Sequence, residues 1–242
     1  MQFEEFQPLF HTVMALNGFE QFADEEKSRK FHALTEHMLA VNEKMNLTAI
    51  KNVDAVVLLH YVDSLTAEGF LPQNARVADI GCGAGFPCLP LAICRPDLQL
   101  LAVDSTEKRI NYVKETAKLL ECSNLEAIAM RAEDGGKGAY REQFDVCTAR
   151  AVAALPALSE LCLPYVKVGG KFLAMKGKKG EEELREAETA IKRLGGECVA
   201  THRIELTYNG ETDTRFLFEI AKVKQTPPEF PRPWAKILKR HL

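Results

Sequence analysis

The chain has 242 residues, of which 46% are hydrophobic and 27% charged, with 15 Gly and 11 Pro. This excludes a collagen, a disordered tail and a disulfide miniprotein, and leaves room for one large domain or two small ones. The net charge of −3 argues against a protein coated in positive charge, but it is an average: −6 over residues 1–70, −2 over 71–165 and +5 over 166–242. A polyanion could engage the last third without that showing in the total.

The first 70 residues predict three helices, broken near Asn17-Gly18 and Asn46-Leu47-Thr48. Phe31, Leu34, Met38, Val41 and Met45 recur at three- and four-residue steps and mark one buried face. A third helix is expected after Asn52, a good N-cap, running to about Glu68. Gly69 and the Pro72-Gln73-Asn74 turn close this unit. The start, Met1-Gln2-Phe3-Glu4-Glu5-Phe6, lacks the basic and apolar runs of a signal peptide, and no stretch approaches the roughly 18 apolar residues of a membrane span.

From Arg76 onward strands alternate with helices. The apolar runs Arg76–Ile80, Leu98–Val103, Leu125–Met130, Phe144–Thr148 and Lys171–Met175 fit strands buried on both faces of a parallel sheet. Helices are expected at Pro87–Cys94, Thr106–Leu120, Leu155–Val166 and Glu181–Leu194. The alternation implies an α/β doubly wound, Rossmann-like sheet. Two further strands, Glu197–Thr207 and Thr214–Val223, flank the hairpin signal Asn209-Gly210. The chain thus divides into a helical cap (1–70), a sheet domain (71–225) and a basic, Pro-rich tail (226–242). Its seven cysteines fall mostly in apolar patterns and read as reduced core residues of a cytoplasmic protein, without the paired spacing of a metal site.

The most informative stretch is Val77-Ala78-Asp79-Ile80-Gly81-Cys82-Gly83-Ala84-Gly85-Phe86-Pro87. It sets a glycine loop between the first strand and its helix, at the carboxyl end of the sheet where such folds bind ligands. In the dinucleotide pattern the third glycine would fall at Phe86. Asp79 would also stand close to a pyrophosphate, and two unit charges at 4 Å interact by about 4 kcal/mol at an effective dielectric near 20. The same carboxylate suits a ligand bearing ammonium and sulfonium charge, so the loop favours S-adenosylmethionine over NAD. Asp104, at the end of the second strand, is placed to accept from ribose hydroxyls or to cap the next helix, a role Ser105 could share. Ala132 and Glu133, after the third strand, are expected to face adenine.

The fourth strand ends Asp145-Val146-Cys147-Thr148-Ala149-Arg150-Ala151. It lacks the Asn/Asp-Pro-Pro-aromatic sequence that grips an exocyclic nitrogen. Cys147 lies within the strand, where it cannot attack a pyrimidine, and the only Pro-Cys pair near the site, Pro87-Cys88, lies in the glycine-loop helix. What remains is Arg150, either a cation at the site mouth or a partner for Asp145 or Glu133. A nucleophile that needs no deprotonation fits this set. The N7 of guanine has an in-plane lone pair, and alignment alone supplies several kcal/mol.

These pieces together resemble the bacterial small-subunit ribosomal RNA guanine-N7 methyltransferase G family, also called glucose-inhibited division protein B. The likeness rests on Asn46-Leu47-Thr48, His60-x-x-Asp63-Ser64 and the loop Asp79-x-Gly81-x-Gly83-x-Gly85-Phe86-Pro87. It continues through Asp104-Ser105, Lys108-Arg109, Arg131-Ala132-Glu133, Phe144-Asp145-Val146 and Arg150-Ala151, and runs from about residue 40 to 180, continuing weakly to the end. The resemblance implies a class I methyltransferase that modifies N7 of the guanine at position 527 of 16S rRNA, with S-adenosylmethionine against Gly81, Phe86, Ala132, Glu133 and Arg150. Two departures stand out. Cys88 replaces a usual Gly, and the tail reads Pro231-Arg232-Pro233-Trp234-Ala235-Lys236 rather than a basic Arg-x-x-Gly-x-Pro ending. His60, beside Leu58 and Leu59, reads as a satisfied core histidine, since attack by N7 needs no base.

For the RNA, the expected contacts are Lys176, Lys178 and Lys179, in a run with Lys167 and Lys171 that contains no acid, and Arg232 and Lys236 around Trp234. The expected partner is 16S rRNA or the small-subunit particle, with neither metal nor membrane involved; the oligomeric state stays open, a monomer being favoured. Three other readings stay open: a small-molecule methyltransferase, a non-catalytic cofactor- or RNA-binding module, and an NAD oxidoreductase.

Overall fold

The computed structural model describes residues 1–242. Helix α1 (Phe3–Leu16) packs on α2 (Glu25–Met45) through Phe6, Phe10 and Phe31, which pass the contact on to Tyr61 with ring centroids 4.8–5.4 Å apart. Each such aromatic pair adds about 0.5–1.5 kcal/mol beyond area burial. The α2 N-cap is Asp24, whose carboxylate accepts the Lys27 N–H, and the helix ends on Asn46 in a left-handed conformation. The Asn42 side chain then clamps the Asn46-Leu47-Thr48 turn, donating to the Thr48 carbonyl and accepting its N–H, both at 2.9 Å.

Asn52 caps the third helical stretch, as the sequence predicts, accepting from Asp54 N–H. This stretch is α3 (Val53–Val56), a π-helical turn (Val57–Val62) and α4 (Asp63–Leu65). It ends slightly earlier than expected, and Glu68–Phe70 forms a separate 3-10 turn.

The sheet has seven strands: β1 (Arg76–Ile80), β2 (Gln99–Asp104), β3 (Leu125–Ala129), β4 (Phe144–Arg150), β5 (Val166–Lys176), β6 (Gly196–Tyr208) and β7 (Glu211–Lys222). Their order is β3-β2-β1-β4-β5-β7-β6. The first five run parallel, while β7 is antiparallel to both β5 and β6. Asn209 and Gly210 both take positive φ, as a tight hairpin turn requires. Chain order reverses between β1 and β4, and their carboxyl ends form the crevice of a doubly wound fold.

Between the strands lie α5 (Cys88–Cys94), α6 (Glu107–Leu119), α7 (Ala132–Lys137), α8 (Leu155–Cys162) and α9 (Gly180–Arg193). The short α7 escaped the sequence pattern because its Glu133-Asp134-Gly135-Gly136 core has no apolar stripe. One apolar cluster joins α1, α2 and Tyr61 to α5, α6 and one face of the sheet. A second joins the opposite face to α8 and α9. The tail also differs from expectation. It forms α10 (Trp234–Lys239), and it buries Phe230 and Ile237 in the second cluster. Six of the seven cysteines are buried and Cys198 is half-buried. No helix is long and apolar enough to cross a membrane.

Candidate functional site

The glycine loop starts where β1 ends. Gly81 has φ 73°, and a Cβ there would lie 2.4 Å from a Val152 methyl; Gly85 has φ 88° and would drive one to 2.2 Å from Leu89. Both positions therefore require glycine, for conformation and for space. Gly81 brings the loop against the β4–α8 connection, and Gly85 seats α5 on the loop.

Two cavities open at the carboxyl ends of β1, β2 and β4. The first, about 270 Å³, has apolar walls from Ile80, Val103, Met130, Leu161 and Trp234. Its polar groups include Asp104, Ser105 and Glu133. The second, about 600 Å³, lies between the cap and the sheet, with Leu47, Ile50, Leu59 and Asp63 on one side and Gly83, Phe86, Arg150 and Met175 on the other. Gly81, Arg109 and Ala151 border both. Ala151 has φ 56°, an uncommon backbone state for a residue with a side chain, at the junction itself.

The structure divides the expected cofactor residues. Gly81, Asp104, Ala132 and Glu133 line the first cavity; Gly81, Gly83, Phe86 and Arg150 line the second. Asp104 accepts from Gly83 N–H at 3.1 Å and Thr106 N–H at 2.8 Å. It thereby holds the loop to β2 and steadies the start of α6, whose N-cap is Thr106 rather than Asp104 or Ser105.

Asp79 and Gly85 line neither cavity. Side chains alternate across a strand, so Asp79 lies on the face opposite Ile80, which does reach the first cavity. Its carboxylate is fully buried, accepting from Cys88 N–H at 3.2 Å and the Thr148 hydroxyl at 3.3 Å. Burial pushes its pKa up to about 6 against these hydrogen bonds and the nearby Arg150. The expected contact with a cationic ligand is replaced by a tie between the start of α5 and β4.

Arg150 pairs with neither Asp145 nor Glu133. Its guanidinium donates to Asp63 Oδ2 at 2.7 Å, to the Leu59 carbonyl at 2.8 Å and to His60 Nδ1 at 3.3 Å. Leu59 and His60 both lie in the π turn that follows α3, so that turn meets the Arg150 guanidinium. Asp63 also holds Arg215 of β7, at 3.3 Å. Asp145 instead pairs with Lys167, and Glu133 accepts from Trp234 N–H at 3.3 Å.

The His60 ring stacks on Phe86 with centroids 4.4 Å apart and a 6° interplanar angle. Because Arg150 donates to Nδ1, the proton sits on Nε2, 2.9 Å from the Thr48 hydroxyl. Burial, then the Arg150 charge, pushes the His60 pKa down to about 3. Both ring nitrogens are engaged, in keeping with a satisfied core histidine.

Two of the expected RNA contacts are committed inside the protein. Lys176 is buried, paired with Glu183 at 2.6 Å and donating to the Ala153 carbonyl. Arg232 clasps the fully buried Glu160 with two side-chain nitrogens, at 2.8 and 2.6 Å. Freeing Arg232 would strand the Glu160 carboxylate away from water. Lys178, Lys179 and Lys236 remain exposed, with Lys178 3.5 Å from Asp213. Sequence reasoning missed Arg215, because only the hairpin's return beside β5 brings it to the site. It assigned Trp234 to RNA. Arg109 was visible in the Lys108-Arg109 pair, but without a role.

A crevice at the chain reversal, a glycine loop and two joined cavities define a doubly wound α/β domain of the methyltransferase type. A structure from Aquifex aeolicus, a SAM dependent methyltransferase, superposes with a TM-score of 0.54 at 17% identity, over 73% of this chain and 97% of that one. M. jannaschii TYW2, in complex with AdoMet, superposes with 0.54 at 14% identity, over 67% and 76%. The profile of the rRNA small subunit methyltransferase G family matches residues 27–208. Ribosomal RNA small subunit methyltransferase G of Macrococcus caseolyticus is 45% identical over 89% of this chain and 90% of its own length. The Staphylococcus aureus protein of the same name is 45% identical over 86% and 87%. The chain belongs to the rRNA small subunit methyltransferase G family, and it is a methyltransferase.

Proposed function

We propose that this chain transfers a methyl group from S-adenosylmethionine to N7 of the guanine at position 527 of 16S rRNA, by in-line displacement without a general base. The cofactor supplies an electrophilic methyl on sulfonium. The first cavity suits its adenosine. The apolar walls match a purine, while Asp104 and Glu133 present carboxylates to hydroxyl and amino groups. The second cavity takes the base, and the reactants meet near Gly81, Arg109 and Ala151. In this reading Asp79 acts indirectly, by fixing the loop.

The observation that carries the base-free mechanism is the state of the titratable groups in the second cavity. Asp63 is held by Arg150 and Arg215, and Glu183 by Lys176, while the adjoining His60 is neutral with both nitrogens bonded. Each of these three is already engaged by a cation or by hydrogen bonds. Guanine N7 has no proton to give, so positioning is what the site must provide. The enzyme acts in the cytoplasm as a monomer on 16S rRNA, free or in the small-subunit particle, with Lys178, Lys179 and Lys236 on the RNA side.

Mass spectrometry of small-subunit RNA incubated with and without the protein tests this directly. The expected result is one added methyl on guanine 527; an unmodified guanine 527 would overturn the assignment. Single-turnover rates should also be flat from about pH 6.5 to 8.5, and a limb titrating there would point to a catalytic base.

A further inference from the structure

The C-terminal segment forms part of the first cavity, through Trp234. Several anchors hold it there. Arg141 donates to the carbonyls of Thr226, Pro227 and Phe230 at 2.5, 3.2 and 2.8 Å. Phe230 and Ile237 are buried, and Arg232 is clasped by Glu160. Beyond these, Trp234 starts α10, and its N–H donates to the Glu133 carboxylate, a neighbouring group in the same wall. The ring is half-buried in the cavity alongside Met130 and Ala132. A segment held by Arg141, by Glu160 of α8 and by Glu133 of α7, with an aromatic set at a cavity, is a constructed wall. It lies beyond residue 208, where the family match ends.

We infer that Trp234 is a cofactor-contacting residue, presenting its ring to the adenine of S-adenosylmethionine, so that the start of α10 serves the cofactor site. This rests on the assignment of the first cavity to the adenosine. An indole offers a large, rigid, polarisable face, and removing an aromatic that stacks on a base costs about tenfold in affinity.

Trp234 is the only tryptophan in the chain, so its fluorescence reports this cavity alone. The wild-type protein is titrated with S-adenosylmethionine and with S-adenosylhomocysteine, following tryptophan emission, and both dissociation constants are measured by calorimetry. The same calorimetry is run on Trp234→Ala and Trp234→Phe, with thermal melting of each ligand-free variant as the check on folding. The expected result is saturable quenching or shift of the wild-type emission. Trp234→Ala should lose about tenfold in affinity for both ligands and Trp234→Phe should recover most of it, with unaltered ligand-free melting. Wild-type binding by calorimetry with silent fluorescence, and equal affinity in both variants, would overturn the role of Trp234 while leaving the cavity assignment standing. A wild-type protein that binds neither ligand would overturn that assignment and this inference with it.

Discussion

Asp79 and Asp104 close adjacent strands within a few residues of one glycine loop, yet they do opposite things. Asp104 reaches the first cavity; Asp79 is sealed under the loop, and burial raises its pKa from 3.8 to about 6. A carboxyl that binds its proton more tightly when folded favours the folded state in acid, and this contribution is lost as the pH rises through about 6. Asp79→Asn removes the titration. The stability of the wild type relative to this variant should therefore fall by about 2–3 kcal/mol between pH 4 and pH 7, measured by urea denaturation at each pH. A constant difference would mean that Asp79 titrates alike in the folded and unfolded chain, and a difference that grows with pH would mean that folding favours its ionised form. The positions of the glycines and of Asp104 were legible in the sequence, because loop chemistry is local. The burial of Asp79 followed from which face of β1 meets α5. Charge reasoning along the sequence has no access to that choice, although alternation along the strand could have raised it.

At the scale of elements, the helices and strands were readable almost throughout because their apolar periods are strong. The tail was not. Its prolines, arginines and lysines resemble a solvated arm, and the carboxylates that hold it, Glu160 in α8 and Glu142 before β4, are distant in sequence. The same distance hid the role of the β6–β7 hairpin, which carries Arg215 to Asp63. There the Asn17 amide exchanges hydrogen bonds with the Thr207 backbone across 190 residues. The tail's dependence on its clasp is measurable. Arg232→Ala leaves Glu160 buried and unpaired, so it should cost about 2–4 kcal/mol and lower the melting temperature by roughly 5–10 °C. Adding Glu160→Gln to that variant should recover part of the loss, because an uncharged amide is less costly to bury. Equal melting of Arg232→Ala and wild type would show the pair to be a surface contact of little weight.

Over the whole molecule, the positive charge of the last third proves smaller in effect than its count. Lys176 and Arg232 neutralise internal carboxylates, and Lys167 and Lys171 are paired with Asp145 and Glu219. Of the cations left exposed, Lys178, Lys179 and Lys236 are those assigned to the RNA, so RNA affinity should fall with salt on a shallow slope of about −2 to −3. Reversing Lys178 and Lys179 together (Lys178→Glu, Lys179→Glu) should weaken binding and flatten that slope by about 2, measured by filter binding across salt concentrations. A slope unchanged by the double reversal would place the RNA on another face.

The apolar cluster that runs unbroken from Phe6 and Phe31 through Tyr61 into Val77 and Leu217 carries one more consequence. The helical cap and the sheet share one core beside the second cavity, so moving either wall aside would break apolar packing. Under the proposed reaction, accommodation then falls to the RNA, and a guanine turned out of its stack fits the cavity best. On that reading the protein favours a base that the RNA's own fold holds loosely.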